Sequence, residues 1–523
     1  MVVIRASGEE ILNTLGEEGA SLIEKFASVI GYSVEADAEG LRVEFNPDRP
    51  DLFSLPTLAR AIRTYHGDDA EYKVVDGHVT VYVDRSVAPY RGNFACFVAR
   101  GNPIGGNLRA LIDYQERLHE SIGKDRVKAA IGLHDLSKVS PPFTYRGLRP
   151  DETVFTTYDG SVTGTPESVV REHEKGRQYG GLLPPGVYLG IVDSTGGILS
   201  LPPMVNGSKS RVDEGTREFF IDITGTEDKA VKDAMHLLAF FFLSLGYSLE
   251  RCKVSGGSSL AGSFREMEVS GREVKRIIGT EVNGVCGLLR RFGYRCEEHG
   301  NSAQVGVPPW RVDVMGPVDI IEDVAKSMGY DSVPETVIMT GHFGNPQPQA
   351  MDDRMLRELM VSLGYQEVMT FVVTSQSLYS GRSYRGGVEV VNPKSLDFSV
   401  VRDRIYLNLL DFVSRNRRYG FPQKLFEIGD VVVGGRQEHR LSCVAVDTKG
   451  AFSEVMRAYE VIRDRFLGGT ARIREREVED MIPGRSGSVR IGDLEIGLIG
   501  EVHPETLDGF QIQYPAAVLE IRF

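Results

Sequence analysis

The sequence predicts an α+β multidomain chain, in which two related small helix-hairpin-helix (winged-helix-like) modules flank an α/β domain and a further α+β domain follows. Three observations carry this. The chain has 523 residues and 41% hydrophobic content, enough for several cores rather than one. A pattern recurs at a fixed offset of 262: Gly31-Tyr32 with Gly293-Tyr294, Arg49 and Asp51 with Arg311 and Asp313, Gly67 with Gly329. Between the copies, apolar runs of strand period alternate with runs of helical period.

The first module opens with Ser7 and Glu10 at capping-box spacing, followed by the helical stripe Ile11, Leu12 and Leu15. A second helix, about residues 20–30, stops at Gly31-Tyr32. Two short strands follow on either side of Ala38-Glu39-Gly40. The second runs into Asn46-Pro47-Asp48-Arg49-Pro50-Asp51, where two prolines forbid regular structure before a helix starts near Pro56. The repeated offsets write the same order again after residue 262. Between the copies, strands are expected at 90–100, 128–132, 190–192 and 219–223, and helices at 108–121 and 228–245. The Gly/Pro/Gln-rich stretch Gly341 to Gln349 reads as a linker. The boundaries that result are 1–75, 76–262, 263–340 and 341–523.

A net charge of −13 and a pI of about 5.4 exclude recognition of nucleic acid by a cationic whole and leave only local basic patches. One such segment holds Arg415, Arg417, Arg418 and Lys424 with Tyr419 and Phe421 among them; it suits RNA phosphates, an acidic partner or a solvated helix end. The five cysteines (Cys96, Cys252, Cys286, Cys296, Cys443) form no C-x-x-C pair, so all five are expected as reduced packing residues of a cytoplasmic protein. The longest apolar run, 237–245, is too short to span a bilayer, and acidic residues interrupt the first 30 positions.

Two constellations could carry chemistry. Asp319, Glu322 and Asp323 share one helical face after Pro317, close behind Arg311-Val-Asp313. An all-oxygen cluster of this kind suits Mg²⁺ or Ca²⁺, and equally suits a helix N-terminus with an ion pair to Arg311. In the second, Asp222 and Thr224 project from one face of a strand whose other face is Phe219, Ile221 and Ile223, near Ser200 and the double proline Pro202-Pro203. They line a pocket or end a satisfied polar strand. His119 and His134 are lone histidines, expected to be structural, and no Ser-His-Asp, H-E-x-x-H or P-loop motif is present.

Several motifs in order resemble one family: Glu44-Phe-Asn-Pro-Asp-Arg-Pro-Asp51, Gly132-Leu-His-Asp135, Asn206-Gly207, Phe220-Ile-Asp-Ile-Thr-Gly-Thr226, Pro309-Trp-Arg-Val-Asp313, Ile320-Ile-Glu-Asp323 with Gly329-Tyr330-Asp331, Phe426-Glu-Ile-Gly-Asp430, and Gly497-Leu-Ile-Gly-Glu-Val-His-Pro-Glu505. Together they resemble the phenylalanyl-tRNA synthetase β subunit of archaeal and eukaryotic cytosolic type, over essentially the whole chain. The resemblance implies a cytoplasmic α₂β₂ enzyme whose α subunit binds ATP and phenylalanine, with tRNA(Phe) as substrate and neither membrane nor DNA as partner. It further implies that residues 76–262 are an editing domain hydrolysing Tyr-tRNA(Phe), with Ser200, Asp222 and Thr224 as its pocket and Leu189 as a wall. The last domain resembles a degenerate class II synthetase antiparallel-sheet fold, since the expected ATP-binding arginine is missing from Gly497–Glu505 and Glu427 lacks its Phe-Arg-x-Glu context. The resemblance also places Mg²⁺ on Asp313, Asp319, Glu322 and Asp323. The first copy carries Asp51, Thr57, Arg60 and Ala61 at those offsets and should bind none. A free-standing deacylase and a non-catalytic tRNA-binding assembly scaffold stand as alternatives.

Overall fold

The computed structural model describes residues 2–36, 40–68, 72–337, 341 and 343–523. They form two compact units, Met1–Val337 and Ile338–Phe523. The turn expected at Ala38-Glu39-Gly40 lies, except for Gly40, outside the described residues.

In the first unit the 262-residue offset is a structural repeat. Strands Val2–Ser7, Ser33–Ala36 and Gly40–Phe45 make one three-stranded sheet with the last of them central, and Arg265–Ser270, Arg295–His299 and Ser302–Val307 make another in the same order. Helices Leu55–Tyr65 and Pro317–Met328 close the two copies. The capping box forms: the Glu10 N–H donates to Ser7 Oγ at 3.2 Å and the Ser7 N–H to Glu10 Oε2 at 2.7 Å. The leading strand of each copy has no signal strong enough to have been anticipated. One expectation fails here, because Cys286 and Cys296 are joined in a disulfide. Helix Val285–Arg290 packs on strand Arg295–His299 and brings the two Cα atoms to 5.1 Å, within bridging reach. Cys96, Cys252 and Cys443 are free and buried.

Between the copies lies a ten-stranded mixed sheet. One edge is Val205–Asn206, preceded by Ile198–Leu201 and Tyr188–Val192; the other edge is Ala129–Asp135, preceded by Glu218–Gly225 and Asn93–Arg100. The two edges meet, since Asn206 Nδ2 donates across the gap to the Leu133 carbonyl at 3.4 Å. The sheet is therefore curled into a barrel-like form with a seam, which disposes of its open edges. Helices Asn107–Glu120 and Asp228–Ser244 cover the outer face, where Phe219, Ile221 and Ile223 pack against Leu237, Leu238, Phe241 and Phe242. Phe220 enters the core on the opposite face, as period-two alternation requires.

The second unit is a seven-stranded sheet, antiparallel except where Gln366–Glu367 runs parallel to Gln423–Val433, with buried cores on both faces. Several of its buried charges are internally paired. Glu427, noted for its missing motif context, meets Arg402 at 2.7 Å in a buried pair. The basic segment does not form a free stripe: Arg415 pairs with Asp411, Lys424 with Glu454, and Arg417 donates to the Gln511 carbonyl. No helix among the described residues is long and apolar enough to cross a membrane.

Candidate functional site

The seam of the curled sheet carries the site. Asp222, on Glu218–Gly225, stands opposite Gly132 of Ala129–Asp135. A Cβ at position 132 would lie 2.1 Å from Asp222 Oδ2 and 2.9 Å from His134 Nε2. Only glycine leaves room for the carboxylate there. Asp222 Oδ2 meets His134 Nε2 at 2.7 Å, and His134 Nδ1 meets Ser210 Oγ at 2.7 Å. Against a carboxylate Nε2 is the donor, while Nδ1 faces the Ser210 hydroxyl, which also lies 3.5 Å from the Leu199 carbonyl. Asp222 is only 1% exposed, yet among the described residues its second oxygen has no hydrogen-bond partner.

Ser200 comes to this carboxylate from the opposite end of the sheet. Its Oγ is buried without a hydrogen-bond partner. Ser200, Asp222, Gly132 and the loop Pro202-Pro203-Met204 line a cavity of about 20 Å³, room for one water or one hydroxyl group. A buried orphan hydroxyl costs stability unless a ligand or water satisfies it. This cavity shares Arg126, Ile131, Met204, Val205 and Asn206 with a wider one of about 250 Å³, also lined by Leu133, Gln115 and Tyr158.

Arg126 holds the double-proline loop in place, Nη1 donating to the carbonyls of Pro203 at 3.2 Å and Met204 at 3.0 Å while Nη2 pairs with Glu116 at 2.9 Å. It sits in a run of three left-handed residues, Lys124, Asp125 and Arg126, with φ of 47°, 51° and 66°. Such strain in non-glycine residues accompanies sites whose geometry is over-determined by their surroundings. Nothing in the sequence marked Arg126. His134, expected to be merely structural, is instead the residue that holds Asp222. Pairing the two anticipated strands antiparallel would have set it on the carboxylate's own face, two residues from Gly132. His119 is structural as expected: burial pushes it down to about 4, so it is neutral and Nε2 accepts the Ile131 N–H at 2.8 Å. Thr224 lies farther along the strand, buried near Tyr145, and does not line either cavity. Leu189 is a core residue opposite Gly147 and likewise lines neither.

The second constellation is not gathered into a shell. Asp313 and Asp323 are both claimed by buried Arg311, at 2.7 and 2.6 Å, and Asp323 also accepts from the Tyr294 hydroxyl at 2.6 Å. Asp319 Oδ2 accepts the N–H groups of Met315 and Gly316 at 2.7 and 2.8 Å at the head of its helix, and Glu322 pairs with Lys326 at 2.9 Å. Burial alone would raise the Asp313 carboxyl, but Arg311 overrides it and holds it at about 2. Among the described residues no three His, Cys, Asp or Glu side chains converge on a point that could hold a metal. These carboxylates as arranged do not fit the Mg²⁺ that the resemblance placed on them, because their lone pairs are taken by an arginine, a lysine and the head of a helix.

Residues 333–523 match the family model described as the phenylalanyl tRNA synthetase beta chain CLM domain, and residues 267–330 match the tRNA synthetase B5 domain. The chain is thus an aminoacyl-tRNA synthetase subunit. It is 43% identical to a phenylalanine–tRNA ligase beta subunit of Thermoplasma acidophilum over all of this chain and 97% of the relative, and 32% identical to one of Archaeoglobus fulgidus over all of this chain and 98% of the relative. An N-terminal fragment of the phenylalanyl-tRNA synthetase beta subunit from Pyrococcus horikoshii superposes with a TM-score of 0.57 at 26% identity, covering 63% of this chain and 100% of the fragment. The chain belongs to the phenylalanyl-tRNA synthetase β-subunit family.

Proposed function

We propose that this chain hydrolyses Tyr-tRNA(Phe) at the seam of its curled sheet, as the editing subunit of a cytoplasmic α₂β₂ enzyme whose α subunit charges tRNA(Phe). In this reading residues 1–75 and 263–340 are the paired modules, 76–262 the editing domain and 341–523 a synthetase-like domain without an active site. The internal pairing of Glu427 with Arg402 supports the last assignment, since that buried pair leaves neither of these two side chains free for a nucleotide.

The observation that carries the reading is the orphan Ser200 hydroxyl and the half-satisfied Asp222 carboxylate lining one cavity the size of a hydroxyl, which shares five lining residues with a wider one that has room for more than a tyrosyl group. A pocket made for phenylalanine cannot strongly exclude tyrosine, which merely adds a hydroxyl. A second pocket that binds that hydroxyl discriminates the other way. The phenol donates to Asp222 and accepts from Ser200; a phenylalanine ring leaves both groups buried and unpaired. Sites of this type reject the analogue lacking the hydroxyl by roughly 10⁴-fold. His134 and Ser210 hold the carboxylate, and Gly132 gives it space. Among the described residues no Ser, Thr, Cys or His side chain lines the wider cavity, so hydrolysis in this reading rests on a positioned water and the terminal ribose hydroxyl of the tRNA. Water adds to the ester carbonyl and the tRNA oxygen leaves, releasing tyrosine and intact tRNA.

Tyr-tRNA(Phe) given to this chain with its α subunit tests the reading. Tyrosine release should fall about a hundredfold in Asp222→Ala, the loss of one hydrogen bond to a charged group being sufficient for that. Absence of release by the wild-type complex would leave only the scaffold.

A further inference from the structure

The wider cavity extends past what a tyrosyl group needs. If the phenol lies at Asp222 and the ester follows it outward, the ribose bearing the ester and the base attached to that ribose must occupy the mouth. Two apolar side chains there stay open to solvent: Tyr158, and Ile112 on helix Asn107–Glu120, each 38% exposed. The backbone under Tyr158 is firmly held. Its N–H donates to the Asn206 carbonyl at 2.9 Å, and the next residue, Asp159, accepts from Thr157 Oγ1 at 2.7 Å, from the Ser161 N–H at 3.2 Å and from Ser161 Oγ at 2.9 Å. His173 reaches the other Asp159 oxygen at 3.3 Å. The aromatic ring is thus presented by a fixed turn that hangs on the same Asn206 that lines the inner cavity.

The charges around the mouth sort the same way. Glu116 is engaged by Arg126 at 2.9 Å and Lys175 at 3.6 Å. Lys175 Nζ stands 5.9 Å from the centre of the Tyr158 ring. Arg211, also lining the cavity, is exposed, and among the described residues its side chain has no carboxylate partner. An exposed aromatic and an arginine without a carboxylate partner, lining one cavity, match a nucleotide: the base stacks on the ring and the phosphate meets the guanidinium.

We propose that Tyr158 is the stacking platform for the terminal base of the tRNA acceptor end, with Arg211 contacting the phosphate behind it. This rests on the editing reading. It assigns a nucleotide subsite to residues distinct from those that recognise the amino acid. A free adenylate shares the same base and the same 5′-phosphate; what favours the acceptor end is that the ester hydrolysed in this reading is borne on a ribose hydroxyl of the tRNA.

The test uses the complex of this chain with its α subunit and a tRNA(Phe) transcript carrying 2-aminopurine in place of the terminal adenine. Wild type should quench its fluorescence on binding. Tyr158→Ala should abolish most of that quench and raise KM for Tyr-tRNA(Phe) hydrolysis about tenfold, the scale of one lost base–aromatic stack, with kcat within about twofold; Tyr158→Phe should restore both. Arg211→Ala should raise KM and flatten its dependence on salt. Unchanged quench and KM in Tyr158→Ala would overturn the proposal while leaving editing at Asp222 intact. A variant-sensitive signal given by 2-aminopurine riboside monophosphate but not by the tRNA would overturn the acceptor-end assignment. Should wild type quench normally but release no tyrosine, the editing reading falls and the nucleotide site stands.

Discussion

Two groups of carboxylates lie within the first unit, and they behave oppositely. The cluster around Arg311 is dense in charge: four acidic residues within a few positions, at the head of a helix. Yet each of them has found its partner inside the protein. Asp222, by contrast, is a single carboxylate in a strand rich in phenylalanine and isoleucine, and beside it a serine hydroxyl has no partner at all. The difference teaches that density of charge marks a place the fold must neutralise, whereas an unsatisfied polar atom next to open space marks a place the fold has left for something else. The duplicated module sharpens the point. Arg49 and Asp51 in the first copy are bonded at 2.9 and 2.7 Å, and Arg311 and Asp313 in the second at the same distances. The second copy then adds Asp323 where the first has Ala61, tying Arg311 to Tyr294, so that the extra carboxylate builds an ion network rather than a ligand shell.

If the Arg311 cluster is structural, its removal must cost stability rather than editing. Arg311→Ala strands one buried and one half-buried carboxylate and should lower the unfolding free energy by about 3–5 kcal/mol in urea titration, more than Arg49→Ala, on which one carboxylate depends. Tyrosine release per folded molecule should be unchanged. A fully stable Arg311→Ala protein would break the comparison.

The Cys286–Cys296 bridge closes a short loop in the same module. Its reduction, or Cys286→Ser, should cost about 2–3 kcal/mol in the chain-entropy account, read as a lower Tm in reductant.

The Asp313 carboxyl titrates at about 2 in the folded protein against an ordinary value of 3.8. A depressed folded value gives stability that is fully present above pH ~4 and is lost as pH falls from ~4 toward ~2, by on the order of 2 kcal/mol. Arg311→Ala should abolish that acid-dependent loss, and pH-dependent unfolding of the two proteins measures it.

The smallest effect falls at the candidate site and has the opposite sign. Ser200→Ala removes a buried hydroxyl that no protein group satisfies, so the Tm should hold or rise slightly, while tyrosine release drops about tenfold for the lost hydrogen bond. A loss of stability on the scale of Arg311→Ala would make Ser200 a packing residue after all.

Much of the fold was legible because its signals are local. Ser7 and Glu10 declare a helix start three residues apart, Pro317 starts another, and Phe219, Ile221 and Ile223 alternate with Asp222 and Thr224 along one strand. The repeat could be found because Arg-x-Asp loops between glycines keep their offsets. What escaped depends on distant contacts. Ser200 and Asp222 stand near opposite ends of a ten-stranded sheet, and nothing in either segment says that the sheet curls until they meet. His134 looks solitary until its strand is set in register. Cys286 and Cys296 are brought together by a helix packing on a strand, with no motif spacing to announce it. Asp319 shared a face with Glu322 and Asp323 but turned its oxygens back to its own helix start, a local choice that charge counting does not reveal.

In the editing reaction the space between Ser200 and Asp222 should be filled by a phenolic oxygen. A crystal structure of this chain with a non-hydrolysable tyrosyl-adenosine analogue tests it most directly. The phenol oxygen should lie within hydrogen-bond distance of both Asp222 and Ser200 Oγ, with the His134 pair intact. A ligand bound elsewhere, or one whose ring enters the seam while its hydroxyl points away from Asp222, would contradict it.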